Sequence, residues 1–172
     1  MLMGAMAAGN TTIFMRKWDA VRAMEIIERE QVNVTGGVPT IAWQLIEHPD
    51  RANYDLSSLE AIGYGGAPSA PELVRRIYEE FGALPGNGWG MTETMATVTS
   101  HGAEDYLNRP ASAGPPVAVA DLEIRAEDGV TVLPVGTVGE LWARGPMIVM
   151  GYWNKPEATA ETFVDGWVRT GD

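Results

Sequence analysis

Cysteine is absent from the 172-residue sequence. Disulfides and thiolate-ligated zinc are therefore excluded, and the absence fits a reducing compartment. Positive charge is scarce. Twelve Lys and Arg stand against 23 Asp and Glu, for a net charge of −11. A surface of that sign repels phosphate backbones and disfavours a nucleic-acid partner. Long apolar runs are also missing. The opening stretch, MLMGAMAAGNTTIF, is apolar but short, interrupted by glycine and without a basic leader, so it suits neither a bilayer span nor a signal peptide. It reads as a buried segment whose packing partner lies upstream, a hint that the sequence is a piece of something larger. No G-x-S-x-G elbow or P-loop lysine motif occurs. The two histidines, His48 and His101, lack metal-pair spacing and read as surface or loop residues. There is no internal repeat or low-complexity run.

What remains is globular in composition, 45% hydrophobic and 20% charged, enough to build a core for one domain or one and a half small ones. The nine scattered methionines read as core filler. Val21, Met24 and Ile27 recur with helical spacing between charges, with Asp19 placed to cap the helix over 19–31. VNVT (32–35) reads as a strand, GGVPT as a turn, and Pro39 opens a second helix, TIAWQLIEH. LEAIGYG (59–65) is a further strand. Ser69 and Glu72 have the spacing of a capping box, opening a helix with Leu73, Ile77 and Phe81 on one face and Gly82 closing it. Helix and strand thus alternate, which predicts a parallel sheet.

The texture changes near RPASAGPP (109–116). DLEIR (121–125) alternates with period two, EDG (127–129) is a turn signal, and VTVL, GELWAR and MIVMGYW are β-rich. A short helix fits PEATAETF. The expected fold is α/β: a parallel-sheet α/β part over residues 1–112, then a β-rich, barrel-like subdomain over 113–172.

Three loops could hold a nucleotide. In GNGWGMTET (86–94), glycines let backbone approach a ligand and leave Trp89 open to stack on a base. Thr92 offers a hydroxyl for a phosphate oxygen, and Glu93 a hard oxygen ligand for Mg²⁺. The plainer alternative is a glycine-rich turn with a partly buried Trp and a helix cap at Thr92. GYGGAPSAPE (63–72) is a strand, a loop and a helix, the setting in which α/β sheets bind ligands beyond strand ends, or an ordinary connection. In TGD (170–172) the Asp172 carboxylate is placed to accept ribose hydroxyls, or to lie in a solvated turn.

Taken in order, GYGGAPSAPELVRRI, NGWGMTET and GELWARGPMIVMGYWNKPEATAETFVDGWVRTGD resemble the adenylate-forming superfamily, which includes acyl-CoA synthetases, luciferases and the adenylation domains of peptide synthetases. The resemblance covers residues 32–172 well and 1–31 weakly. Trp89 stands where many members carry Tyr; the Trp form and GGAPS resemble the medium- and long-chain fatty acid ligases. The resemblance implies that Gly66, Ala67 and Pro68 border adenine. It implies that Asn87, Gly88, Trp89, Gly90, Met91 and Thr92 line the nucleotide, that Glu93 holds Mg²⁺, and that Asp172 binds ribose. Tyr64 and Gly65 would lie along the acyl pocket, while Glu140, Gly151, Tyr152 and Thr159 would belong to the scaffold. The implied activity is ATP-dependent conversion of a carboxylic acid, most like a fatty acid, to an acyl-adenylate, with transfer to CoA. An aryl or amino acid substrate, or a non-catalytic nucleotide-binding module, are the alternatives. The resemblance implies a cytoplasmic enzyme of small-molecule substrates without an integral membrane segment, its fatty substrates allowing a peripheral membrane encounter. The family's Lys-Gly-ending phosphate loop, arginine-bearing hinge and lysine-bearing C-terminal domain have no counterpart in the sequence. The expectation is a portion of the large N-terminal domain that is inactive alone.

Overall fold

The computed structural model describes residues 2–172. It contains two four-stranded sheets with helices against the first. In helix α1 (Leu2–Ala7) Met6 is exposed, as are Ile13 and Phe14 in the stretch that follows. The expected burial is thus not met within this chain. Among the described residues, no core cluster includes residues 4–14, so these apolar side chains have nothing to pack into.

Helix α2 (Ala20–Glu30) starts where expected, with the Arg22 amide donating to Asp19 Oδ1 at 2.8 Å. Strand β1 (Val34–Gly37) absorbs both glycines that had read as a turn. Helix α3 (Pro39–Ile46) opens on its proline. Strand β2 (Ala61–Gly65) leads to α4 (Pro71–Phe81), which Gly82 closes at φ 66°. The Ser69 capping box does not form. Ala70 occupies the cap position with no side-chain bond, and the Ser69 hydroxyl donates to Tyr64 Oη at 3.1 Å. Pro71 lacks the first amide in any case, so the helix start tolerates the loss.

Strand β3 (Leu84–Met91) pairs parallel with β2 and antiparallel with β4 (Ala96–Gly102), in sheet order β1-β2-β3-β4. Most of the stretch read as a glycine-rich loop is thus a central strand, and Gly90 within it, like Gly65 on the neighbouring strand, serves close strand packing. A Cβ at Gly65 would lie 2.7 Å from the Gly88 carbonyl oxygen, and one at Gly90 only 1.6 Å from that of Ala96. The register shift between Trp89 and Gly90 marks a bulge at that point. Gly90→Ala should therefore force β3 and β4 apart, costing about 3 kcal/mol and lowering Tm by roughly 6–12 °C. At Gly86 the nearest atom to an added Cβ is 3.8 Å away, so Gly86→Ala should stay within about 1 kcal/mol of the parent. Thermal melts of the two variants check this; equal melting points would contradict the close approach.

Helix α5 (Ala103–Asn108) follows β4 and sets Tyr106 into the first core with Leu45, Ile62, Leu73 and Ile77. His101 lies in β4, half-buried, its ring 4.3 Å from that of Tyr106 and its Nε2 2.7 Å from the Ser112 carbonyl. Of the two expected settings, surface or loop, it has the first: it is a partly exposed strand residue. Methionine is not uniformly core: Met24 is fully buried, whereas Met95 and Met150 are exposed.

The second sheet, in order β5-β6-β8-β7, is antiparallel throughout. It comprises β5 (Asp121–Arg125), β6 (Glu140–Arg144), β7 (Phe163–Val164) and β8 (Trp167–Arg169), with α6 (Pro156–Thr162) before β7. It is an open sheet, and among the described residues no barrel closes. VTVL contributes one isolated bridge, Val132 to Arg125, and MIVMGYW forms turns and extended chain rather than a strand.

Alternation along these strands builds two faces. Leu122, Ala143 and Val168 meet Val98 of β4 in a second core. On the other face Arg125 stacks on Trp142 and Trp167 at 4.4 and 4.7 Å, with Arg144 4.6 Å over Trp167. The guanidinium groups cover two indoles that would otherwise be open to water. Val98 is the hinge of the architecture: it carries the first sheet into the core of the second. No described helix is long and apolar enough to cross a membrane.

Candidate functional site

The site is built where the parallel strands of the first sheet end against the second sheet. Strands β2 and β3 run parallel with Gly65 opposite Gly88, so the segments that follow them leave on the same edge. From β2 comes the exposed Gly66–Ala67–Pro68 loop, with Gly66 at φ 76°. From β3 comes a 3-10 turn, Thr92–Thr94. Its cap is Met91, not Thr92: the Met91 amide donates to Thr94 Oγ1 at 3.0 Å, and that buried hydroxyl donates to the Ala96 carbonyl at 2.7 Å. Thr92 is left exposed and Glu93 half-buried. The turn ends on Met95 and Ala96, with φ of 51° and 104°, costly values for residues with a Cβ. Strain of this kind persists where surrounding contacts over-determine the chain, and the Thr94 bonds supply some of them.

Two side-chain contacts tie this edge to the second sheet. Trp89 packs against the Val98–Ala143–Val168 core and donates its indole N–H to Asp172 Oδ2 at 2.9 Å. Asp172 is itself pinned: the Leu141 amide donates to its carbonyl at 2.9 Å, and its own amide donates to Thr170 Oγ1 at 3.1 Å, whose hydroxyl reaches the Leu141 carbonyl at 2.8 Å. Strand β6 thus holds the TGD carboxylate in front of the indole. In the second contact, Tyr152 donates its phenol to Glu93 Oε1 at 2.6 Å. The nearby carboxylate, with burial adding to it, raises the pKa of Tyr152 and keeps the phenol protonated.

The structure therefore brings Trp89, Thr92, Glu93 and Asp172 to one junction, with Gly66, Ala67 and Pro68 on the same sheet edge. Asn87, Gly88 and Gly90 lie within the strand that leads there, Asn87 opposite Tyr64. Tyr64 itself is in the first core, its hydroxyl 3.1 Å from those of Tyr106 and Ser69, and burial pushes its pKa up. Gly65 is a strand-contact residue against Gly88. Trp89 is not flanked by open space on both sides, since one side meets the second core. Neither the role of Thr94 nor the engagement of Tyr152 is among the sequence expectations. For Thr94 the signal was the S/T type three residues after a strand end. For Tyr152 nothing local pointed to it.

The depressions elsewhere on the surface, one of 530 Å³ lined by Arg51, Tyr54, Leu56 and Phe81 and another beside Trp18 and His48, come from segments that precede β2 and β3. They lie away from the junction. Among the described residues no group of three or more His, Cys, Asp or Glu converges to cage a metal. Glu93 alone fits an ion that takes one or two carboxylates and draws its other ligands from phosphate and water, as Mg²⁺ does.

Residues 1–153 match the family described as AMP-binding enzyme. The chain is 34% identical over 165 residues to the medium/long-chain-fatty-acid–CoA ligase FadD8 of Mycobacterium tuberculosis, covering 95% of this chain and 29% of that protein. It is 36% identical over 164 residues to a feruloyl-CoA synthase of Amycolatopsis sp, covering 95% of this chain and 33% of the relative. Among solved structures, the amide bond synthetase McbA from Marinactinospora thermotolerans superimposes with a TM-score of 0.87 at 37% identity, over 96% of this chain and 34% of that one. The chain thus spans about a third of the length of these relatives.

Proposed function

The chain belongs to the AMP-binding enzyme family, and from that premise we propose that it forms the adenosine- and metal-gripping part of an AMP-forming acid–thiol ligase. The observation that carries the reading is the pair of contacts across the two sheets, Trp89 to Asp172 at 2.9 Å and Tyr152 to Glu93 at 2.6 Å. Together they hold a flat ring, one carboxylate suited to ribose and one suited to a cation at a single junction.

The chemistry asks for those groups. A carboxylate is a poor acyl donor because oxide is a poor leaving group. One of its oxygens attacks the α-phosphorus of ATP; the bond from that phosphorus to the bridging oxygen breaks, and pyrophosphate leaves with the electron pair. The product is a mixed anhydride with AMP. The thiol of CoA then attacks the acyl carbon, the carbon–oxygen bond to AMP breaks, and the thiol proton passes to solvent. Both reactants of the first step are anionic, so the site must offset charge where it concentrates. In this reading Gly66, Ala67 and Pro68 border the adenine and Trp89 presents its open face to it. Asn87, Gly88, Gly90 and Met91 set the backbone beside the nucleotide. The second oxygen of Asp172 accepts from the ribose hydroxyls, and Thr92 donates to a phosphate oxygen. Glu93 would hold Mg²⁺, which when bound supplies positive charge to the phosphates.

The acid is proposed to be a fatty acid, in keeping with the FadD8 relative; an aryl acid is the second reading, favoured by the feruloyl-CoA synthase at 36% identity. Tyr64 and Gly65 would back the acyl pocket from within β2. Two measurements test the proposal. Calorimetry of the 172-residue chain with AMP should give one saturable site. ATP–pyrophosphate exchange by the intact gene product should depend on a carboxylic acid from a panel of fatty, aryl and amino acids. AMP binding without exchange on any acid would favour a non-catalytic nucleotide module, and absence of both would reject the reading.

A further inference from the structure

Glu93 is gripped at both ends by one short segment. Its carbonyl accepts from the Val149 amide at 2.9 Å, and its carboxylate accepts from the Tyr152 phenol at 2.6 Å. The four residues from Val149 to Tyr152 are in neither helix nor strand, yet the segment is well anchored. The Tyr152 amide donates to Thr159 Oγ1 at 2.9 Å, and that hydroxyl donates to the Lys155 carbonyl at 2.8 Å. The Tyr152 ring meets Phe163 edge-on at 5.4 Å. Gly151 makes the approach feasible: its φ is 151°, and a Cβ there would fall 2.5 Å from Thr159 Cγ2. Helix α6 and strand β7 of the second sheet thereby fix a phenol on a carboxylate that belongs to the first.

A phenol on a carboxylate occupies one oxygen and fixes the rotation of the group, leaving the other oxygen aimed in one direction. We infer that Tyr152 is a positioning residue that orients the Glu93 carboxylate for a phosphate-bound divalent cation. The inference rests on the proposed metal role of Glu93 and adds to it a residue from the other sheet. Partners of this kind, bonded to a metal-ligating carboxylate, typically change metal affinity or activity by about 10–100-fold when removed. A purely structural tyrosine at this place would change stability and leave the cation requirement alone.

The test compares Tyr152→Phe, Glu93→Gln and the double variant. Tyr152→Phe keeps the ring against Phe163 and removes only the hydroxyl. Water-proton relaxation by Mn²⁺ with ATP and the 172-residue chain reads cation binding without turnover; the Mg²⁺ dependence of pyrophosphate exchange by the intact gene product reads it in the reaction. Tyr152→Phe should raise the half-saturating Mn²⁺ and Mg²⁺ concentrations about tenfold, with the KM for the acid unchanged. The double variant should match Glu93→Gln alone, because the phenol acts through that carboxylate. If Glu93→Gln abolishes the relaxation signal while Tyr152→Phe leaves half-saturation unchanged, the inference is overturned and the metal role of Glu93 stands. Additive losses in the double variant overturn it as well. An unchanged signal in Glu93→Gln rejects the metal role, and the inference falls with it.

Discussion

Glu93→Gln should lower acid-dependent pyrophosphate exchange of the intact gene product by two to three orders of magnitude, roughly the loss seen when one preorganised electrostatic group is taken from a transition state. The substitution isolates charge from shape. Glutamine has the same length as glutamate, and its amide oxygen still accepts from the Tyr152 phenol that reaches Oε1 at 2.6 Å. The Glu93 carbonyl keeps its bond from Val149 at 2.9 Å. No salt bridge depends on this side chain among the described residues, where every acid–base pair involves other residues. The melting temperature should therefore move by no more than a few degrees, while the reaction collapses. Excess Mg²⁺ should recover little of the rate, because a neutral amide is a much poorer ligand for a hard cation than a carboxylate. Exchange surviving within a few-fold of the parent would remove the metal from this residue. A fall in rate that tracked a fall in Tm would reassign Glu93 to folding.

How far this site could be read from sequence depends on how local its causes are. The Asp19 cap, the Gly82 stop and the alternation in DLEIR were legible because each needs only neighbours in the chain. The parallel pairing of β1 with β2 followed from the helix between them, whereas β3 had the look of a loop. GNGWGMTET misled for a physical reason. Glycine signals backbone freedom in isolation, but at Gly88 and Gly90 it answers a crowding that only the folded sheet creates, with Thr99 and Ala96 carbonyls where side chains would be. Ser69 failed as a cap because a buried phenol, Tyr64, was the nearer partner for its hydroxyl, a tertiary contact that overrides a local motif. MIVMGYW reads as strand by composition, yet its role is to bridge. The Val149 amide goes to the Glu93 carbonyl and the Tyr152 amide to Thr159 Oγ1 rather than to a neighbouring strand, and the Tyr152 phenol goes to the Glu93 carboxylate. The candidate site residues could be named one by one from their motifs; that Trp89 and Asp172, 83 positions apart, come together was implied by the family resemblance and by no local spacing.

That convergence gives the second large effect. Trp89→Ala should weaken AMP binding to the 172-residue chain by about 10–100-fold, since stacking of a base on an aromatic ring is worth roughly 1–3 kcal/mol and the partner bond to Asp172 is lost with the ring. Trp89→Phe separates the two contributions. It keeps a ring for the adenine and removes only the N–H that Asp172 Oδ2 accepts at 2.9 Å. Asp172→Asn removes the charge that the ribose hydroxyls would donate to, and hydrogen bonds to charged groups contribute about 1.5–3 kcal/mol, so it should cost at least about tenfold. If indole and carboxylate act as one unit, the Trp89→Phe, Asp172→Asn double variant should lose less than the product of the single losses, because each single change already loosens the other group. The indole is half-buried against Ala143 and Val168, so the alanine variant also opens a gap in the second core, and its melting temperature must be measured beside its affinity. The phenylalanine variant fills most of that gap. A multiplicative double variant, with Trp89→Phe binding AMP as well as the parent, would show that the 2.9 Å contact only staples the sheets together and that the carboxylate grips ribose unaided.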